Sequence, residues 1–233
     1  MKIMPMLLAS ALALTTGNLW AASGRQDSIE RLQMSSDALR AMINTPDKGI
    51  PEEVVNNAKC IVVVPHLVKG GFVFGGEHGR GVATCRTSEG WSAPAFVSIG
   101  GGSWGLQIGV EGVDLVMLVM NDQGLQHLMS SKFQVGADAS ASAGPVGRHA
   151  SAGTDWKMNT ELLTYSRSKG VFAGITLDGA VVEQDNDSTR AIYGSDPSFN
   201  ATLSGKVRAP KSTLNFLKAI SETAHTSAVA DAK

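Results

Sequence analysis

Gly70-Gly71-Phe72-Val73-Phe74-Gly75-Gly76, Gly79-Arg80-Gly81-Val82 and Gly100-Gly101-Gly102-Ser103-Trp104-Gly105-Leu106-Gln107-Ile108-Gly109 belong to one stretch, Gly70 to Gly112. It holds 13 of the chain's 26 glycines. They stand between short β-branched and aromatic runs rather than in a Gly/Ser tract. Glycine inside strand-like sequence marks bulges, sharp bends and close backbone approach. The stretch predicts a tightly curved sheet, with Gly102 and Gly105 as backbone requirements rather than ligand contacts.

Working outward, strands are expected near 60–64, 71–76, 80–86, 95–101, 104–110 and 113–120, then near 133–143, 147–154, 170–177 and 179–184. Residues 159–167 are compatible with either a strand or a short helix, and 186–205 read as polar with turn signals. Ser28 to Asn44 is an amphipathic helix with Ile29, Leu32, Leu39, Met42 and Ile43 near one face and Glu30, Arg31, Asp37 and Arg40 elsewhere. Pro51-Glu52-Glu53 opens a short second helix, Asp122 to Lys132 forms a third, and Pro210 opens a last one to Thr223. This pattern predicts an α+β fold: a strongly curved antiparallel β-sheet, sandwich- or barrel-like, flanked by N- and C-terminal helices.

Hydrophobic content of 43% and charged content of 18% are those of a folded protein rather than a disordered one. Lys2, the apolar run Met4 to Leu14 and the small residues Ala21-Ala22-Ser23 form a secretory signal pattern over residues 1–22. Residues 23–233 are then one domain, with its core at about 28–222. Without the leader the chain carries 19 basic and 21 acidic residues, a net charge of −2. That balance argues against a general nucleic-acid binder. The two cysteines, Cys60 and Cys85, end neighbouring expected strands, and in an exported chain they point to a disulfide. Two buried free thiols are the alternative.

The glycine stretch, together with Trp91-Ser92-Ala93-Pro94-Ala95-Phe96, Gly144-Pro145-Val146-Gly147-Arg148, Tyr165-Ser166-Arg167-Ser168-Lys169-Gly170-Val171-Phe172-Ala173-Gly174 and Tyr193-Gly194, resembles the SYLF-domain family. The matching pieces run in family order along nearly the whole mature chain. The resemblance implies a non-enzymatic, lipid-binding module whose yeast members are tied to actin. For an exported chain it implies a phospholipid membrane surface in the periplasm or cell envelope, or an envelope protein partner.

Enzymatic readings find little support. Gly100-x-Gly102-x-x-Gly105 matches a dinucleotide fingerprint, but that motif must open a helix, and Leu106-Gln107-Ile108 reads as strand. Ser166-x-x-Lys169 lacks the companion motifs of penicillin-recognising enzymes. The five histidines are scattered without metal-ligand spacing. Asp114, Asp138 and Asp155 are expected to cap turns or to pair with bases such as Arg148, Lys157 or Arg167. The chain is read as needing no cofactor and no metal. The remaining candidate is a basic, partly apolar C-terminal segment carrying Lys206, Arg208, Lys211 and Lys218 with Leu214, Phe216, Leu217 and Ile220. Such a segment either lies on an anionic membrane or packs its apolar residues on the domain.

Overall fold

The computed structural model describes residues 16–45, 49–71, 74–104, 109–146, 160–168, 171–173 and 177–225. Helices α1 (Thr16–Ile43) and α2 (Glu52–Asn57) precede strands β1 (Cys60–Gly71), β2 (Phe74–Thr87), β3 (Gly90–Trp91), β4 (Ala95–Trp104) and β5 (Gly109–Val119). Then come α3 (Asp122–Met129), β6 (Lys132–Gln134), β7 (Ala141–Ala143), β8 (Leu162–Ser168), β9 (Val171–Ala173) and β10 (Val181–Gln184). The chain closes with α4 (Asn186–Tyr193), α5 (Phe199–Leu203), a 3₁₀ turn (Lys211–Thr213) and α6 (Leu214–His225).

The sheet order is β6-β10-β4-β2-β1-β5-β8-β7, with β3 added to β2 and β9 to β8. Every pairing is antiparallel except β7 with β8. The two edge strands, β6 and β7, are joined only by residues 135–140. A flat sheet would hold them about 34 Å apart across seven gaps of ~4.8 Å. The connection reaches at most about 25 Å. The sheet must therefore curl, and it forms the strongly curved half-barrel that the glycines predict.

Residues 60–65 of β1 and 115–119 of β5 are buried on both faces, which explains their unbroken apolar runs. Cys60, Val62, Val64, Leu115, Met117 and Val119 join Phe133, Val182, Leu128, Phe199 and Leu203 in one cluster, closed by α3 and α5. Ile61, Val63, Val116 and Leu118 point the other way, into Leu32, Leu39, Met42, Phe216 and Ile220 of α1 and α6. Alternate residues feeding two cores is the period-2 geometry of a strand.

A register shift between Val64 and Leu67 places His66 at φ 52°. The bulge leaves Val64 and Leu67 in the same core, facing β2 where Gly79 and Gly81 stand. A Cβ at Gly79 would lie 2.7 Å from Val64 Cγ1 and 2.8 Å from Leu67 Cδ1. Here glycine provides space. Gly102 does not follow the expectation set for it: its φ is not positive, and an added Cβ would come no nearer than 4.0 Å to the Gly75 carbonyl oxygen. Gly105 lies outside the described residues.

Cys60 faces Cys85 across β1 and β2, with an S–S distance of 2.05 Å and Cα atoms 3.9 Å apart. The flanking Arg86 N–H donates to the Lys59 carbonyl, so this is a non-hydrogen-bonded pair, the closer of the two antiparallel spacings. With a sequence separation of 25 between the cysteines, the loop closure contributes about 3 kcal/mol in the chain-entropy account.

Several elements differ from the sequence reading. β2 is a single strand where two were expected, and the span near 133–143 is split between opposite edges of the sheet. Residues 162–168 are strand, which settles the ambiguity at 159–167. α4 and α5 occupy a segment read as polar turns. The expected strand at 147–154 lies outside the described residues.

Candidate functional site

The C-terminal segment is positioned by caps and turns that its sequence provides. Gly205, at φ 81°, reverses the chain after α5, and Lys206 N–H donates to the Ala201 carbonyl. The Pro210 carbonyl accepts from both the N–H and the Oγ1 of Thr213, at 3.0 and 2.8 Å, setting the turn that leads into α6. Phe216, Ala219 and Ile220 are at most 1% exposed, and Leu217 packs against the same cluster. Leu214 remains 52% exposed. Most of the segment's apolar residues thus pack on the domain, and Leu214 does not.

All four predicted cations, Lys206, Arg208, Lys211 and Lys218, are exposed. Lys211, Leu214, Lys218 and Glu222 follow one another at spacings of three and four residues, so they share one stripe of the helix. Lys206 and Arg208 lie on the extended lead-in. No ion pair is described for Lys206, Arg208 or Lys211 among the described residues. Lys218 Nζ lies 3.7 Å from Glu222 Oε1. Arg40, from the last turn of α1, reaches the other carboxylate oxygen at 2.9 Å. That hydrogen bond, reinforced by the charges of Lys218 and Arg40, holds the Glu222 carboxyl below its ordinary range. Helical periodicity puts Arg40 off the apolar face of α1, and only the folded chain brings it beside Glu222.

α1 turns its apolar stripe inward: Leu32, Leu39 and Met42 are at most 2% exposed. Arg31, which stands off that stripe, is buried as well. It donates to Asp185 Oδ2 at 3.2 Å and Ser188 Oγ at 2.7 Å, with its guanidinium 6.0 Å from the Phe96 ring centre. Burial pushes Arg31 below the usual arginine range, opposed chiefly by Asp185. Asp185 in turn caps α4 by accepting from the Ser188 N–H, while Arg25 donates to the Ala191 and Ile192 carbonyls at the other end. α1 therefore grips α4 at both termini.

Gly100 and Gly102 lie within strand β4. Asp114 pairs with Arg167 at 3.5 Å and accepts from the His66 N–H. Asp138 accepts from the Gln134 N–H within its turn. Asp155 lies outside the described residues. Among those described, no three His, Cys, Asp or Glu side chains converge to hold a metal, and no helix is long and apolar enough to cross a membrane.

The sequence profile described as "Ysc84: Las17-binding protein actin regulator" matches residues 100–223. The chain belongs to the Ysc84 family, the one that carries the SYLF domain. It is 36% identical over 165 residues to "SH3 domain-containing protein PJ696.02" of Schizosaccharomyces pombe, covering 69% of this chain and 38% of that one. It is 32% identical over 168 residues to "LAS seventeen-binding protein 3" of Saccharomyces cerevisiae, with 70% and 36% covered. It is 30% identical over 169 residues to "SH3 domain-containing YSC84-like protein 1" of Homo sapiens, with 72% and 49% covered. The chain spans less than half the length of these curated relatives. The profile is named for binding and actin regulation, one of these relatives for binding, and the other two for an SH3 domain they contain.

Proposed function

We propose that this Ysc84-family domain is a non-enzymatic peripheral membrane-binding protein of the bacterial envelope, recognising anionic phospholipid headgroups through the cationic face of α6 and its lead-in. The carrying observation is the exposed stripe of Lys211, Leu214 and Lys218, with Lys206 and Arg208 beside it in sequence and Phe216 and Ile220 anchoring the helix from behind. An exposed leucine between cations suits an interface where the apolar group enters the headgroup layer and the ammonium groups meet phosphates. The net charge of −2 without the leader makes the attraction local. The leader pattern at residues 1–22 supports the periplasmic side of a membrane as its place of action.

Flotation with vesicles tests this reading. Each cation near an anionic surface contributes on the order of 1 kcal/mol, within a Debye length. Replacing Lys206, Arg208, Lys211 and Lys218 together by Gln should strongly reduce recovery with phosphatidylglycerol vesicles at low salt and change it little at high salt. Recovery equal to the parent at low salt would remove this face from the lipid site. A second reading, docking of an envelope protein on the same face, draws support from the relative named for binding Las17. It would be favoured if the parent failed to float with any vesicle.

A further inference from the structure

We propose that Glu222 is a built-in electrostatic brake on the cationic face, and that Arg40 of α1 is a member of that face. This rests on the membrane-binding reading above. Glu222 lies on the same exposed stripe as Lys211, Leu214 and Lys218, and its side chain is 49% exposed. It occupies two cations at once: Lys218 at 3.7 Å, from the preceding turn, and Arg40 at 2.9 Å, from another helix. Both cations remain accessible, with side-chain exposures of 72% and 39%.

Two consequences follow from this arrangement. An anionic headgroup arriving at the stripe competes with the Glu222 carboxylate for Lys218 and Arg40, so those two cations contribute less than Lys206, Arg208 and Lys211. The carboxylate also faces the headgroups directly, and like charges repel across the interface. An anionic lipid surface is the occupant that fits, because the stripe combines clustered cations with one exposed apolar side chain and only one acid. Without that acid, Arg40 and Lys218 present two neighbouring cations from two helices, on the stripe that also carries Lys211.

The test is Glu222→Gln, which keeps the side chain's size and removes its charge. The pairs it breaks are exposed, so the fold should be retained, checked by an unchanged melting temperature. Apparent affinity for phosphatidylglycerol vesicles at low salt should rise roughly five-fold, as expected for one charge at the surface. Glu183→Gln, which removes a β10 carboxylate from an exposed pair with Lys132 of β6, is the control for overall charge. Elution from immobilised heparin reads the brake without any membrane: Glu222→Gln should elute at higher salt than both the parent and Glu183→Gln. Equal elution of Glu222→Gln and Glu183→Gln overturns the brake. Later elution of Glu222→Gln from heparin, combined with a parent that ignores anionic vesicles, upholds the brake and overturns the membrane-binding reading instead.

Discussion

At Gly81 a side-chain carbon would run into the Val63 carbonyl oxygen and would stand 2.7 Å from Val64 Cγ2. At Gly102 the nearest atom would be 4.0 Å away. Two glycines of the same rich stretch therefore do different things. Gly79 and Gly81 make room for the bulge in β1, whereas Gly102 has free space on an exposed strand end. Gly81→Ala should destabilise the domain by about 1–3 kcal/mol, since the Val63 backbone cannot step aside cheaply. Gly102→Ala should be neutral or stabilise by up to about 1 kcal/mol, because alanine restricts the unfolded chain. Urea unfolding of both variants decides the matter, and a destabilised Gly102→Ala would restore it as a backbone requirement. Glycine density in the sequence correctly signalled curvature. It could not say which glycine carries it, because that depends on side chains placed opposite by strand pairing.

α6 shows at the scale of one element how packing and surface duties divide. Its buried residues, Phe216 and Ile220, fall on one side at helical spacing, and Leu214 falls on the other. Ile220→Ala should cost about 2–5 kcal/mol through the lost burial and the cavity left behind. Leu214→Ala should change stability by no more than about 0.5 kcal/mol while weakening vesicle recovery. Thermal melts alongside flotation separate the two; a Leu214→Ala protein that melts much earlier would place this leucine in the core. The periodicity of α1 and α6 was legible because leucine, isoleucine and methionine mark their inner faces. α4 was missed because its inner face is Ser188, Thr189 and Ile192, a polar pattern indistinguishable from a loop. Its capping signals were present nonetheless: Asp185 at the N-cap and Gly194 at φ 70° after the last turn. The burial of Arg31 was illegible for a related reason, since it depends on Asp185, which is distant in sequence and adjacent only in the folded chain.

The whole molecule is held by pairings that interleave its two halves. The matched family profile begins at residue 100, inside β4, yet the sheet path runs β4-β2-β1-β5. β5 takes β1 as a neighbour along ten register pairs, from Cys60 opposite Val119 to Gly71 opposite Gly109. A fragment starting at residue 100 keeps β5, β8 and β7 on one side and β10 and β6 on the other. The strands that join them are gone, and so are the α1 residues Leu32, Leu39 and Met42 that cover β1 and β5. Exposed apolar faces and unpaired edges of that extent favour aggregation over folding. Residues 100–223 expressed alone should therefore lack cooperative unfolding, whereas residues 23–233 should unfold in one transition. Far-UV circular dichroism through a urea titration makes the comparison. Cooperative unfolding of the short fragment would mean that the segment before residue 100 is dispensable to the fold, and that Arg40 reaches the cationic face as an accessory rather than as part of its scaffold. Absence of folding would instead make point substitutions on the α6 stripe the sound route to the membrane question, because truncation from either end removes core before it removes charge.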